Sequence, residues 1–137
     1  DESESRGLGD VYKRQDYATL DGATETHHSC PNDFLESETR ETLSRFSDIL
    51  LLGHDWKEDE ERLLGLLSKG YSGRLGVIGS KSKWKAFTSV ALEAGISQET
   101  LDGVNCPIGL AIGAESPEEI AIAVLAEILA AYKGVNP

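Results

Sequence analysis

The chain has 137 residues, 13 of them basic and 24 acidic, and carries a formal charge of −11. That balance argues against a general nucleic-acid binder, which needs a basic face, and against docking on anionic lipid. No apolar run approaches a membrane span, and two cysteines, Cys30 and Cys106, are too few for a disulfide scaffold, so one small cytoplasmic domain is the expectation.

The first residues stand apart. Ser5-Arg-Gly-Leu-Gly-Asp-Val-Tyr-Lys-Arg-Gln15 resembles a translated sequencing adapter, the mosaic end of a transposase library kit read in one frame. Residues 1–15 are therefore set aside as a non-native, disordered tail, and residues 16–137 are taken as the domain, with the natural chain starting upstream of Asp16. The tail holds four acids and three bases, so the remainder carries −10.

In chain order, Ala23–Cys30 is a candidate strand and Pro31–Glu38 a short helix. Asp48–Gly53 is a continuous apolar run, as expected of a strand buried on both faces. Lys57–Lys69 follows as a helix with its acids in the first turns and its leucines later, stopped by Gly70. Arg74–Gly79 is the second strand. A helix over Lys81–Ala94 comes next, with Trp84, Phe87, Ala91 and Ala94 on one face and Gly95 as its stop. Ile96 is placed to make the apolar contact that accompanies such stops.

Ser97–Leu101 reads as a short capped helix. The last helix, Pro117–Tyr132, has Ser116 as N-cap, Pro117 at its first position and Glu119 completing a capping box. Its body is alanine-rich and nearly free of polar residues, which predicts that most of its circumference is covered. Strand–helix alternation implies an α/β fold: a Rossmann-like open parallel sheet with flanking helices, here its C-terminal part and truncated at the N-terminus.

In such sheets, ligands bind beyond the carboxyl ends of the strands. Three stretches converge there: Gly53-His54-Asp55, Gly76–Lys83 and Pro107–Ser116. Lys81, Lys83 and Lys85 are three of the ten bases outside the tail and stand beside Ser80 and Ser82. Backbone N–H groups, hydroxyls and ammonium groups in one place suit a phosphate; the alternative is a solvated helix start whose lysines oppose the dipole. The spacing is neither a P-loop nor a dinucleotide fingerprint.

His54-Asp55 reads either as an acid–base pair or as turn residues, with the turn favoured, and no catalytic residue is assigned. His27-His28-x-Cys30 has no second ligand pair at a zinc spacing, so no metal ligand is assigned either. Cys106 has no base beside it in sequence and reads as a small packed hydrophobe.

Tyr71–Ala131 resembles the C-terminal region of the XdhC/CoxI family of xanthine dehydrogenase accessory proteins. The resemblance is carried by Gly76-Val-Ile-Gly-Ser-Lys-Ser-Lys83, Glu93-Ala-Gly95, Pro107-Ile-Gly-Leu-Ala-Ile-Gly-Ala-Glu-Ser-Pro-Glu-Glu-Ile-Ala121 and Ala126-Glu-Ile128. His54-Asp55 also falls where the family tends to carry His-Asp.

The resemblance implies a domain that binds molybdenum cofactor (molybdopterin) and hands it to an apo-molybdenum hydroxylase, with a cysteine desulfurase as a further partner and a homodimer allowed. It implies a chaperone without turnover of its own. The cofactor-binding residues it points to are His54, Asp55, Gly76, Gly79, Ser80, Lys81, Lys83, Pro107, Gly109 and Gly113. Two other readings stay open: an NAD(P)- or nucleotide-dependent oxidoreductase on the same fold, and a domain that only bridges proteins.

Overall fold

The computed structural model describes residues 31–137. The adapter-like tail, the strand expected over 23–30 and the His27-His28-x-Cys30 cluster lie outside the described residues. Two short helices open the described part, α1 (Pro31–Glu36) and α2 (Arg40–Leu43). The second was not expected; a Thr39–Thr42 capping box stands at its start.

Three strands follow, β1 (Asp48–Leu51), β2 (Arg74–Val77) and β3 (Val104–Asn105), in one parallel sheet of order β1-β2-β3. Asp48 pairs with Arg74, Leu51 with Val77 and Gly76 with Asn105. Between them run α3 (Trp56–Ser68), α4 (Lys81–Glu93) and the short α5 (Gln98–Asp102); α6 (Pro117–Lys133) closes the chain. The two-residue β3 has no apolar run to announce it. Pairing resumes past Pro107, which has no N–H to give, when the Ile108 N–H donates to the Val77 carbonyl at 3.0 Å. The Cys106–Pro107 peptide is cis.

The core lies between the sheet and the helices that cross over it. Leu63, Leu66 and Leu67 of α3, Leu75 and Val77 of β2, and Phe87 and Ala91 of α4 are buried together. Ala94, expected on the buried face of α4, is exposed because it is already the C-cap. The three long helices stop alike. Beyond α4, Ile96 N–H donates to Ala91 O and Gly95 N–H to Leu92 O, and the same pairing ends α3 at Gly70 and Tyr71 and α6 at Gly134 and Val135.

One expectation is overturned. The circumference of α6 is not mostly covered: Ala123 and Val124 are buried, but Ile122, Leu125, Leu129 and Tyr132 stand 57–64 % exposed. Three described strands offer the helix one narrow contact face, and its apolar composition exceeds what that face covers.

Candidate functional site

All three strands point the same way, so their carboxyl ends share one edge of the sheet, and the turns 52–55, 78–80 and 106–116 leave from it. The α6 helix reaches that edge with its N-terminal end. Its other end is fixed at the amino edge, where the Tyr132 hydroxyl lies 2.5 Å from Asp48 Oδ2 and 2.7 Å from Ser47 Oγ, and Arg74 donates to the Ile128 carbonyl at 3.4 Å. Arg74 also pairs with Asp48 at 3.2 Å. A hollow of about 360 Å³ lined by Tyr71, Leu75, Thr100 and Val104 opens at this amino edge, away from the converging turns.

Each long helix starts at the carboxyl edge with a side-chain cap, because an acceptor just before the first turn satisfies N–H groups that have no partner within the helix. Asp55 Oδ1 accepts from the backbone N–H of Lys57 at 2.8 Å and Glu58 at 3.3 Å. Ser80 Oγ accepts from Lys83 N–H at 3.1 Å. Ser116 Oγ accepts from Glu119 N–H at 3.1 Å, while Glu119 Oε1 accepts from the N–H groups of Glu115 and Ser116 at 2.8 and 3.3 Å. Those two backbone donors hold the Glu119 carboxyl below the usual range.

The sequence-predicted residues separate into groups. Asp55 is engaged by its own helix, and His54 is exposed on the bend before it. Gly76 is a buried strand residue, where a β-carbon would fall 2.9 Å from Ile108 Cδ1. Gly79, Ser80, Lys81 and Ser82 are exposed together at the start of α4, with Lys85 one turn on. Pro107 is exposed and Gly113 lies open to solvent in the long loop. Gly109 is tied down, its N–H donating to Glu127 Oε1 at 3.0 Å. Leu110 N–H donates to the Ala123 carbonyl at 3.1 Å, which fixes this part of the loop on α6.

Lys83 corrects the sequence reading. It is not a solvent-facing member of an anion cradle but is 2 % exposed. Its ammonium donates to Asp59 Oδ2 at 3.0 Å and to the Ile78 carbonyl at 2.8 Å, and lies 5.5 Å from the Phe87 ring centroid. Asp59 is fully buried, its other oxygen 3.5 Å from Arg62 Nη1. The pattern held a signal for this. Lys83, Phe87 and Ala91 fall at i, i+4 and i+8, the buried face of α4, and Asp59 heads the Leu63, Leu66 and Leu67 stripe of α3. Asp59, Arg62 and Glu127 were missed because an acid early in a helix reads as a dipole partner, and a charge later in it as solvated surface.

Cys106, at the end of β3, is half-buried against the core. Burial pushes its thiol pKa up; Lys83 draws it down and Asp59 raises it again. The thiolate is disfavoured, which suits packing rather than nucleophilic work. Among the described residues, no group of three or more His, Cys, Asp or Glu side chains is arranged to hold a metal ion, and no helix is long and apolar enough to cross a membrane.

With this geometry in view, one comparison decides the family: the XdhC Rossmann domain matches residues 10–128. The chain belongs to the XdhC Rossmann-domain family. The matched span begins inside the adapter-like stretch. Among solved structures, a Bacillus halodurans chain described as a xanthine dehydrogenase shares the fold with a TM-score of 0.64 at 27 % identity, over 83 % of this chain and 31 % of that one. The uncharacterized protein YqeB of Escherichia coli K12 is 40 % identical over 72 residues, 53 % of this chain and 13 % of YqeB. The XdhC Rossmann domain described here thus spans less than a third of either protein.

Proposed function

We propose that this chain is the Rossmann part of a maturation factor for a xanthine dehydrogenase-type molybdenum hydroxylase, and that it holds the phosphate end of molybdenum cofactor at the start of α4. The observation that carries this is the exposed Gly79-Ser80-Lys81-Ser82 turn at the carboxyl edge of a parallel sheet, in a chain of the XdhC family. First-turn N–H groups, a hydroxyl and the Lys81 ammonium are the donors a phosphate monoester requires, and the helix dipole adds to them.

The donor set fits the phosphate and not the metal. Molybdenum and its dithiolene call for soft or metal-ligating groups, and the nearby thiol, Cys106, is half-buried with its thiolate disfavoured. When bound, the cofactor would supply the redox chemistry of the hydroxylase that receives it. This chain's part is binding and orientation: α4 takes the phosphate, while the Pro107–Ser116 loop, with Gly113 open to solvent, stands beside the remainder. The apo-hydroxylase and a cysteine desulfurase are the partners this role requires.

The test is molybdopterin binding by the full chain, read as pterin fluorescence after gel filtration, with Lys81→Ala as the variant. A loss of severalfold in affinity at unchanged thermal stability is expected, since Lys81 is exposed and holds nothing in the core. Equal binding by Lys81→Ala and the parent refutes the α4 assignment. Absence of pterin from both refutes the cofactor role of this chain.

A further inference from the structure

We infer that the buried Asp59–Lys83 pair is the positioning element of the site, tying the β1–α3 and β2–α4 turns together and thereby fixing the α4 N-terminus that faces the ligand; the ligand itself rests on the reading above. Lys83 brackets the Gly79-Ser80 turn with both its ends. Its backbone N–H donates to Ser80 Oγ at 3.1 Å, and its ammonium reaches back to the Ile78 carbonyl at 2.8 Å. The same ammonium crosses to Asp59 at 3.0 Å, and Asp59 sits in the first turn of the neighbouring helix. One cation therefore joins the start of α3, the end of β2 and the start of α4.

The two glycines that open these turns bear the imprint of the pair. A β-carbon at Gly53 would fall 2.5 Å from Asp59 Oδ1, and one at Gly79 would fall 2.4 Å from Lys83 Cδ. The side chains of the pair occupy the space in which residues 53 and 79 would carry their own. Stability alone does not account for the arrangement, because a buried ion pair is on average no better than apolar residues of the same volume. An apolar pair would fill the space without holding the Ile78 carbonyl or choosing one geometry for the turn.

The experiment uses the full chain and three variants: Lys83→Met, Asp59→Asn and both together, the double variant keeping the volume while removing both charges. Amide hydrogen exchange is followed at residues 78, 83 and 84, whose N–H groups donate to Leu51 O, Ser80 Oγ and Ser80 O around the turn, beside molybdopterin affinity. In the double variant, still folded by near-ultraviolet circular dichroism, exchange at these amides at least tenfold faster and affinity at least tenfold weaker are expected. Unchanged exchange overturns the proposal, whether affinity holds, as for a pair that only fills the core, or falls, as for a charge acting directly on the ligand. The parent chain supplies an arm free of any folding defect: a Lys83 ammonium resonance that persists at neutral pH is expected, and its loss to rapid exchange overturns the proposal. If the parent binds no molybdopterin, the proposed function fails while the exchange arms still decide the positioning role.

Discussion

Gly79→Ala probes the centre of this arrangement with a single methyl group. Gly79 has φ +153°, where an L side chain carries about 1–3 kcal/mol of strain. The added carbon would also lie 2.4 Å from Lys83 Cδ, so Lys83 must move. That atom is not a free end. It is one bond from the carbon bearing the ammonium, which is pinned by Asp59 and the Ile78 carbonyl. Breaking a buried pair costs about 3–5 kcal/mol. With partial retention of the pair, Gly79→Ala is expected to destabilise by about 3–6 kcal/mol, a large share of the 5–15 kcal/mol typical of a domain.

Urea unfolding of Gly79→Ala, Lys83→Ala and the double variant separates the two contributions. Truncating Lys83 to its β-carbon leaves that atom 3.4 Å from the new methyl, an ordinary contact. In that background Gly79→Ala should cost only its backbone part, about 1–3 kcal/mol. The cycle should therefore give a coupling of about 2 kcal/mol or more. Additivity within about 0.5 kcal/mol would show that the two residues do not compete for the same space.

Further outcomes follow from other contacts. Asp55→Ala removes the cap of α3 and should lower stability by about 1 kcal/mol in chemical unfolding while leaving molybdopterin affinity unchanged; an affinity loss would make Asp55 a ligand residue. Glu127→Ala leaves the Gly109 N–H without its acceptor and should cost about 1–3 kcal/mol, with faster amide exchange at Gly109 itself; unaltered exchange there would mean the loop is held by other contacts. Because the Glu119 carboxyl is held below its ordinary pKa of 4.5, its stabilising effect is present above that value and is lost as pH falls through the folded pKa. The difference in Tm between the parent and Glu119→Gln should accordingly shrink on acidification, and a difference that grows would reverse the sign. Cys106, in a Cys30→Ser background, should react with iodoacetamide more slowly than a free thiol at pH 8 and still be gaining rate above pH 9, whereas rapid labelling at pH 7 would contradict its burial.

The elements that were legible in the sequence are those whose causes lie within a few residues. Ser97 and Ser116 each cap a helix through backbone groups three positions away, and Gly70 and Gly95 end helices through bonds to the preceding turn; Asp55 and Ser80, read in the sequence as turn or ligand residues, cap their helices just as locally. The apolar runs at β1 and β2, separated by helical periodicity, were enough to give a parallel α/β sheet whose connecting turns converge at its carboxyl edge. Pairings across longer stretches were not legible. Lys83 meets Asp59 across 24 residues and Glu127 meets Gly109 across 18, and whether those charges face solvent or one another depends on how α3, α4 and α6 settle on the sheet. The two-residue β3 and the uncovered face of α6 are likewise results of packing: one exists because Gly76 offers a partner at Asn105, the other because the described sheet is narrower than the helix is apolar. Sequence by itself determined the local turns and the order of the longer elements, since backbone groups find their partners nearby. Only the tertiary structure decided which lysine at the start of α4 points outward and which is buried, since that choice belongs to a contact between two helices.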